Sequence, residues 1–144
     1  MIAHLARRFV SSLSRRPPEA GDERWAAEQL LAGEQALWER MSNVDRRHSI
    51  TVARRFVERR PDATRPEIAG ALLHDCGKVD SGLGTFRRVL ATVVGPRTVS
   101  FRRYHDHEAI GARLAAEASA DPVTVALIEG DGPAAPALRA ADDL

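Results

Sequence analysis

His74 and Asp75 are adjacent metal-ligand types at the end of an apolar run, Ala71-Leu72-Leu73, and Cys76-Gly77-Lys78 follows them. Imidazole and carboxylate both donate well to a divalent ion. Leu72 and Leu73 suit the buried part of a helix. Gly77 suits its C-cap, where glycine takes a left-handed backbone angle without Cβ strain. That places Asp75 in the last helical turn, where the macrodipole disfavours a carboxylate by roughly 0.3–1 kcal/mol. A bound cation reverses the penalty, and the plain alternative is a polar helix end that happens to hold His and Asp. The chain has 21 basic residues but a single lysine, Lys78, three residues after Asp75. A compact ammonium on a flexible stem reaches a phosphate as a point charge, unlike the planar guanidinium used everywhere else.

The elements that must position these groups read as helices throughout, because no segment sustains period-two alternation. The expected fold class is all-α, a bundle of about six to seven helices preceded by a short basic N-terminal helix. That first helix carries Ile2, Leu5, Phe9 and Leu13 at helical spacing among arginines. It suits docking on the domain or on a partner copy, with a membrane-surface role as the sharper reading. Residues 1–21 form this helix and a Pro17-Pro18 linker, and 22–144 the domain. Asp22 can cap a helix over about 23–41 with Leu30, Leu31, Leu37, Trp38 and Met41 on its apolar face. In the next helix, about 44–60, Val44, His48, Val52 and Phe56 are spaced by four and share one stripe. His48 therefore lies on the inner face, as a core histidine or as a ligand.

Thr64-Arg65-Pro66-Glu67 has the form of a capping box and opens the central helix, about 65–76, which delivers His74-Asp75. Residues 79–84 read as a loop and 85–94 as a helix whose free N–H groups, with Arg87 and Arg88, suit an anion. His107, Ile110, Gly111 and Leu114 form a further stripe, with His105 about 160° away from His107 at roughly 100° per residue. Gly111 lets another helix approach. Asp121-Pro122 opens the next helix, with Val123, Val125, Leu127 and Ile128 as core candidates. In the last helix, Pro136 to Leu144, Asp142 is four residues after Leu138 and faces inward, whereas Asp143 is placed to pair with Arg139. A carboxylate on an apolar face is costly unless it is paired or binds a metal.

Composition sets the outer bounds. At 144 residues and a formal charge of +1 the chain suits one domain with no global field toward nucleic acid or a membrane. Its one cysteine, Cys76, rules out an internal disulfide and suits a reducing compartment. No apolar stretch reaches transmembrane length, and Met1 to Arg8 lacks the continuous apolar region of a secretory signal, so a cytoplasmic location is expected. No aromatic-interleaved basic patch points to nucleic acid.

His48, His74, Asp75 and Asp142 are ligand types on inward faces, and two imidazoles with two carboxylates suit Mn, Fe, Co, Ni or Zn better than Mg. Their order, His … His-Asp … Asp, resembles the HD-domain superfamily of metal-dependent phosphohydrolases. His74-Asp75-Cys76-Gly77-Lys78 is similar to the family's His-Asp-x-Gly-Lys variant. His107-Glu108-Ala109-Ile110-Gly111-Ala112 is similar to the His-x-x-x-Gly-Ala element of proteins related to the HD-GYP branch. The resemblance covers about residues 40 to 144, and small actinobacterial HD proteins of unassigned substrate share further features with it, among them Trp38-Glu39-Arg40-Met41 and Asp80-Ser81-Gly82-Leu83-Gly84-Thr85-Phe86. Binuclear members carry a further histidine where this chain reads Glu129-Gly130-Asp131, with Glu129 or Asp131 as possible substitutes. There is no Gly-Tyr-Pro signature, so hydrolysis of cyclic-di-GMP is not expected.

The resemblance implies hydrolysis of a small phosphoester, such as a nucleotide, by metal-activated water. His48, His74, Asp75 and Asp142 would hold the ion. Lys78, with Arg47 or Arg87, would neutralise the phosphate. His107 would carry a proton or hold a weak second metal. The rivals are a catalytically degenerate HD domain serving as a metal- or nucleotide-binding module, and a structural bundle with coincidental His and Asp. A homodimer is a further expectation.

Overall fold

The computed structural model describes residues 14–80 and 97–144, with residues 80 and 97–106 described by backbone only. Among them are seven α-helices, one 3-10 turn and no strand, so the protein is all-α. In chain order they are α1 (Ala20–Gln29), α2 (Ala32–Arg40), α3 (Asn43–Arg59), α4 (Arg65–Leu73), the 3-10 turn (Cys76–Asp80), α5 (Arg97–Glu117), α6 (Pro122–Ile128) and α7 (Ala135–Asp142). The N-terminal basic helix over 1–13 and the helix over 85–94, with Arg87, lie outside the described residues.

Helix α4 is the axis of the fold. Ala69, Gly70, Ala71, Leu72 and Leu73 are all buried, so it is apolar on every side, as a helix must be when neighbours cover all its faces. Helices α3 and α6 pack against it most extensively, and α1 and α2 also touch it. Its capping box forms as expected: Thr64 Oγ1 accepts from the Glu67 amide and Glu67 Oε1 accepts from the Thr64 amide at 2.9 Å. Arg60 then pairs with Glu67 at 3.1 Å, joining the end of α3 to the start of α4. At Gly70 a Cβ would stand 2.9 Å from Leu127 Cδ2, so the glycine is the notch into which α6 presses.

Helix α3 begins at Asn43 because Ser42 Oγ accepts from the Asp45 amide at 3.1 Å. The inner stripe holds: Val52 and Phe56 are fully buried, and Val44 and His48 are partly buried. Burying side chains of this size contributes about 1.5–3 kcal/mol each. Trp38 of α2 is also fully buried, and its Nε1 donates to Glu23 Oε2 of α1 at 3.1 Å; Glu23 in turn pairs with Arg46 of α3 at 2.7 Å.

Several expectations are corrected. The helix expected over 23–41 is two helices, broken at Leu30-Leu31, because buried Glu34 folds back to accept from the Leu31 amide at 2.7 Å. Leu31 is consequently exposed, and so is Val123 at the first turn of α6. Asp22 does not cap a helix; α1 starts at Ala20, and Asp22 pairs with Arg54 at 3.1 Å. Arg139 donates to the Gly130 carbonyl at 3.0 Å rather than pairing with Asp143. The central helix stops at Leu73, not at 76, and Val79-Asp80 belong to the 3-10 turn instead of a loop.

Gly77 is inside that turn and has no left-handed angle, since only Gly130 and Gly132 among the described glycines have positive φ. Its role is close approach. A Cβ at Gly77 would stand 2.0 Å from the His107 carbonyl oxygen of α5. Gly111 completes the contact: a Cβ there would meet the Gly77 nitrogen at 3.1 Å, Ile128 Cγ2 at 3.2 Å and Cys76 Sγ at 3.3 Å. Two glycines thus let the turn after His74-Asp75 lie directly on the backbone of α5.

Candidate metal centre

Three elements bring the cluster together. Helix α3 supplies His48, the turn directly after α4 supplies His74 and Asp75, and the end of α7 supplies Asp142. The packing of α7 on α3 brings His48 and Asp142 together across 94 residues of chain. His48 Nε2 lies 3.1 Å from Asp142 Oδ1, and His74 Nε2 lies 3.5 Å from the same oxygen. Asp75 Oδ2 lies 3.4 Å from His74 Nε2 and 4.0 Å from His48 Nε2. The two imidazole rings are 6.0 Å apart between centroids.

The tautomer of His74 follows from its neighbours. Its Nδ1 stands 2.7 Å from the Ala71 carbonyl, an acceptor only, so Nδ1 carries the proton and donates. Nε2 is then the ring's open position. It is buried, and no neighbour is aligned to hydrogen-bond with it. Its contacts are with two carboxylate oxygens, Asp75 Oδ2 at 3.4 Å and Asp142 Oδ1 at 3.5 Å, and a buried polar atom among acceptors without an aligned hydrogen bond is rare enough to need a cause.

A divalent ion fits that cause. One donor atom each from His48, His74 and Asp142 lies within 4.8 Å of the others. Donors held about 2.0–2.2 Å from one ion in a tetrahedral shell stand about 3.3–3.6 Å apart, close to the 3.1 Å and 3.5 Å separations to Asp142. The donor set of two nitrogens and a carboxylate oxygen suits a transition metal over Mg. The trio could hold an ion; Asp75 adjoins it, but its Oδ2 also pairs with Lys78 Nζ at 3.1 Å.

The electrostatics agree with that packing. Burial alone would lower the pKa of His74, but the charges of Asp75 and then Asp142 outweigh it and raise the group to about 9. Burial opposes ionisation of Asp142, yet the hydrogen bond from His48 and the nearby positive charge of His74 hold it far below the usual carboxylate range. Asp75 is likewise held low, against burial, by His74, Lys78 and His48. Cys76 differs. Burial first, and the charge of Asp75 second, push its thiol up to about 12, and its Sγ–H donates to the Gly111 carbonyl at 3.5 Å. Cys76 is therefore a neutral packing residue and no thiolate ligand.

A pocket of about 70 Å³ opens beside the cluster. His74, Asp75 and Asp142 line it, together with Lys78 and His107. Of the other described residues named from sequence, His48, Arg47, Glu129 and Asp131 do not line it. Arg47 donates to the Ser14 carbonyl at 2.7 Å and to Ser14 Oγ at 3.0 Å. Glu129 and Asp131 are exposed. Two charged residues that do line it, Glu108 and Arg139, were not anticipated from sequence. The signal was present: Glu108 follows His107 directly, and Arg139 precedes Asp142 by three residues, on the same helix face. No protein-family model, curated protein or solved structure matches the chain.

Proposed function

We propose that this protein is a metal-dependent phosphohydrolase of the HD-domain type, acting on a small phosphoester such as a nucleotide. The observation that carries the reading is the buried Nε2 of His74, left without a hydrogen-bond partner and facing the same carboxylate oxygen as His48 Nε2. The chain order of the ligands, His48, His74-Asp75 and Asp142, supports it through the resemblance to that superfamily.

In this reading His48, His74, Asp75 and Asp142 hold one divalent transition ion, of the Mn, Fe, Co, Ni or Zn class. The chemistry such an ion supplies is activation of water near neutral pH and polarisation of a phosphoryl oxygen. The hydrogen bond that His74 Nδ1 donates to the Ala71 carbonyl keeps the ring in the tautomer that presents Nε2 inward. Lys78 anchors Asp75 and sets a positive charge on the pocket wall, where it offsets charge developing on the phosphoryl oxygens. His107, on the wall of the same pocket, delivers a proton to the departing oxygen.

The alternative, a binding module without turnover, draws on a different observation. Glu129 and Asp131, which stand where binuclear members carry a further histidine, lie off the pocket, which favours a single ion.

Elemental analysis of the purified protein beside Asp75→Ala and His48→Ala tests the reading, followed by a phosphoester panel with Mn, Co and Ni. About one transition ion per chain, lost in both variants, with turnover of at least one phosphoester, supports the enzyme. Metal without turnover supports the module. No metal in any sample, even after reconstitution, sinks both.

A further inference from the structure

Besides residues of the metal cluster, Glu108, Gly130 and Arg139 line the pocket. A Cβ added at Gly130 would stand 3.5 Å from Glu108 Oε2 and 3.7 Å from Arg139 Nη2. Arg139 Nη2 donates to the Gly130 carbonyl at 3.0 Å, which holds the guanidinium beside that glycine. Leu127, Ile128 and Leu138 give the same pocket apolar wall.

A fixed donor and an acceptor side by side select by chemistry. A second phosphate would suit Arg139 but be repelled by Glu108, and an amine would meet the opposite conflict. A hydroxyl both donates and accepts, and a pair of neighbouring hydroxyls satisfies both side chains at once. Reach narrows the choice further. Arg139 is three residues from Asp142 on α7, about one helical turn or roughly 4.5 Å along the axis. A group held by Arg139 is therefore close to a phosphate held at the Asp142 end of the same pocket, where a sugar or polyol carries hydroxyls.

We propose that Glu108 and Arg139 are specificity-determining residues that bind the hydroxyl groups of a phosphorylated sugar or polyol, whether free or as the ribose of a nucleotide. This inference rests on the phosphohydrolase reading and names the part of the substrate next to the phosphate.

Calorimetric titration of the Mn(II)-loaded protein with inorganic phosphate, ribose 5-phosphate and butyl phosphate tests it in wild type, Glu108→Gln and Arg139→Lys. Wild type should bind ribose 5-phosphate at least about tenfold more tightly than butyl phosphate. In both variants that ratio should fall to about one. Retained Mn(II) affinity and an unchanged circular dichroism spectrum show that each variant is folded, and Glu108→Gln, which keeps size and shape, protects against a folding defect in the other. A wild type with no preference, or variants that keep the preference, overturns the inference while leaving the phosphohydrolase reading standing. Failure of all three probes to bind the metal-loaded wild type overturns both.

Discussion

Two clusters of charge among the described residues, one at Glu34 and one at Asp142, are finished differently. Around Glu34, which is fully buried, each donor has its acceptor: Oε1 accepts from the Leu31 amide at 2.7 Å and from Arg65 at 3.2 Å, and Oε2 accepts from the Asp121 amide at 3.2 Å. Arg65 also donates to the Gln29 carbonyl at 2.7 Å. One carboxylate and one guanidinium thus tie together the ends of α1, α2, α4 and α6. Around Asp142 the count does not close. Two imidazoles and two carboxylates converge, and His74 Nε2 has no hydrogen-bond partner. A complete network of buried charge needs nothing more and reads as structure. An incomplete one, with donor atoms at the spacing of a coordination shell, reads as a place for an ion.

The comparison breaks most sharply on Glu34→Ala. Removing Glu34 takes the acceptor from the Leu31 and Asp121 amides and a counter-charge from partly exposed Arg65, and each group left unsatisfied costs about 1–3 kcal/mol. Denaturant unfolding should show that loss, and the folded fraction should still bind metal as wild type does. If the loss is under about 1 kcal/mol, the Glu34 network is not the staple described above.

At the other cluster the order of effects reverses. His74→Ala should lower metal affinity by at least about 100-fold, more than the loss of a residue that only orients a ligand, as read by competition with a chelating dye. An affinity within threefold of wild type would remove His74 from the ligand set.

pH sharpens the same contrast. In the metal-free protein His74 is raised from 6.5 to about 9. A raised pKa stabilises the fold fully below about 6.5, and that contribution disappears as pH climbs through about 9. Asp142 is lowered, so its contribution is present above its ordinary 3.8 and is lost as pH falls through its folded value. The chelator-treated protein should therefore lose Tm between about pH 6.5 and 9. Because the ion must displace the proton on His74, its affinity should rise about tenfold per pH unit over the same range. A metal affinity independent of pH would show that His74 enters the site unprotonated.

The smallest expected effect is on Leu31→Gln. Leu31 contributes its backbone amide to Glu34 while its side chain is exposed, so stability should change by no more than about 0.5 kcal/mol. A larger loss would mean that the break between α1 and α2 depends on that side chain.

Several local features were legible because they depend on neighbours in the chain. The capping box at Thr64 and Glu67, the Asp121-Pro122 start and the His48 stripe all formed as spacing required. Spacing also separated inward Asp142 from its exposed neighbour Asp143. The break at Leu30-Leu31 was not legible, since it answers to Arg65 and Asp121 far along the chain through Glu34. Arg47 looked as available to a phosphate as any arginine beside His48, and its engagement with Ser14 is a contact across 33 residues.

Residue types, apolar periodicity and capping signals are properties of short windows, and they were enough to name an all-α chain with His48, His74, Asp75 and Asp142 on inward faces. Distances are not such properties. The approach of α7 to α3 put His48 and Asp142 3.1 Å apart, and the contact of Gly77 with the backbone of α5 turned the chain after Asp75 into a 3-10 turn. The same packing placed Glu108 and Arg139 in the lining of one pocket. These depend on which faces bury against which, a choice made by the whole core at once.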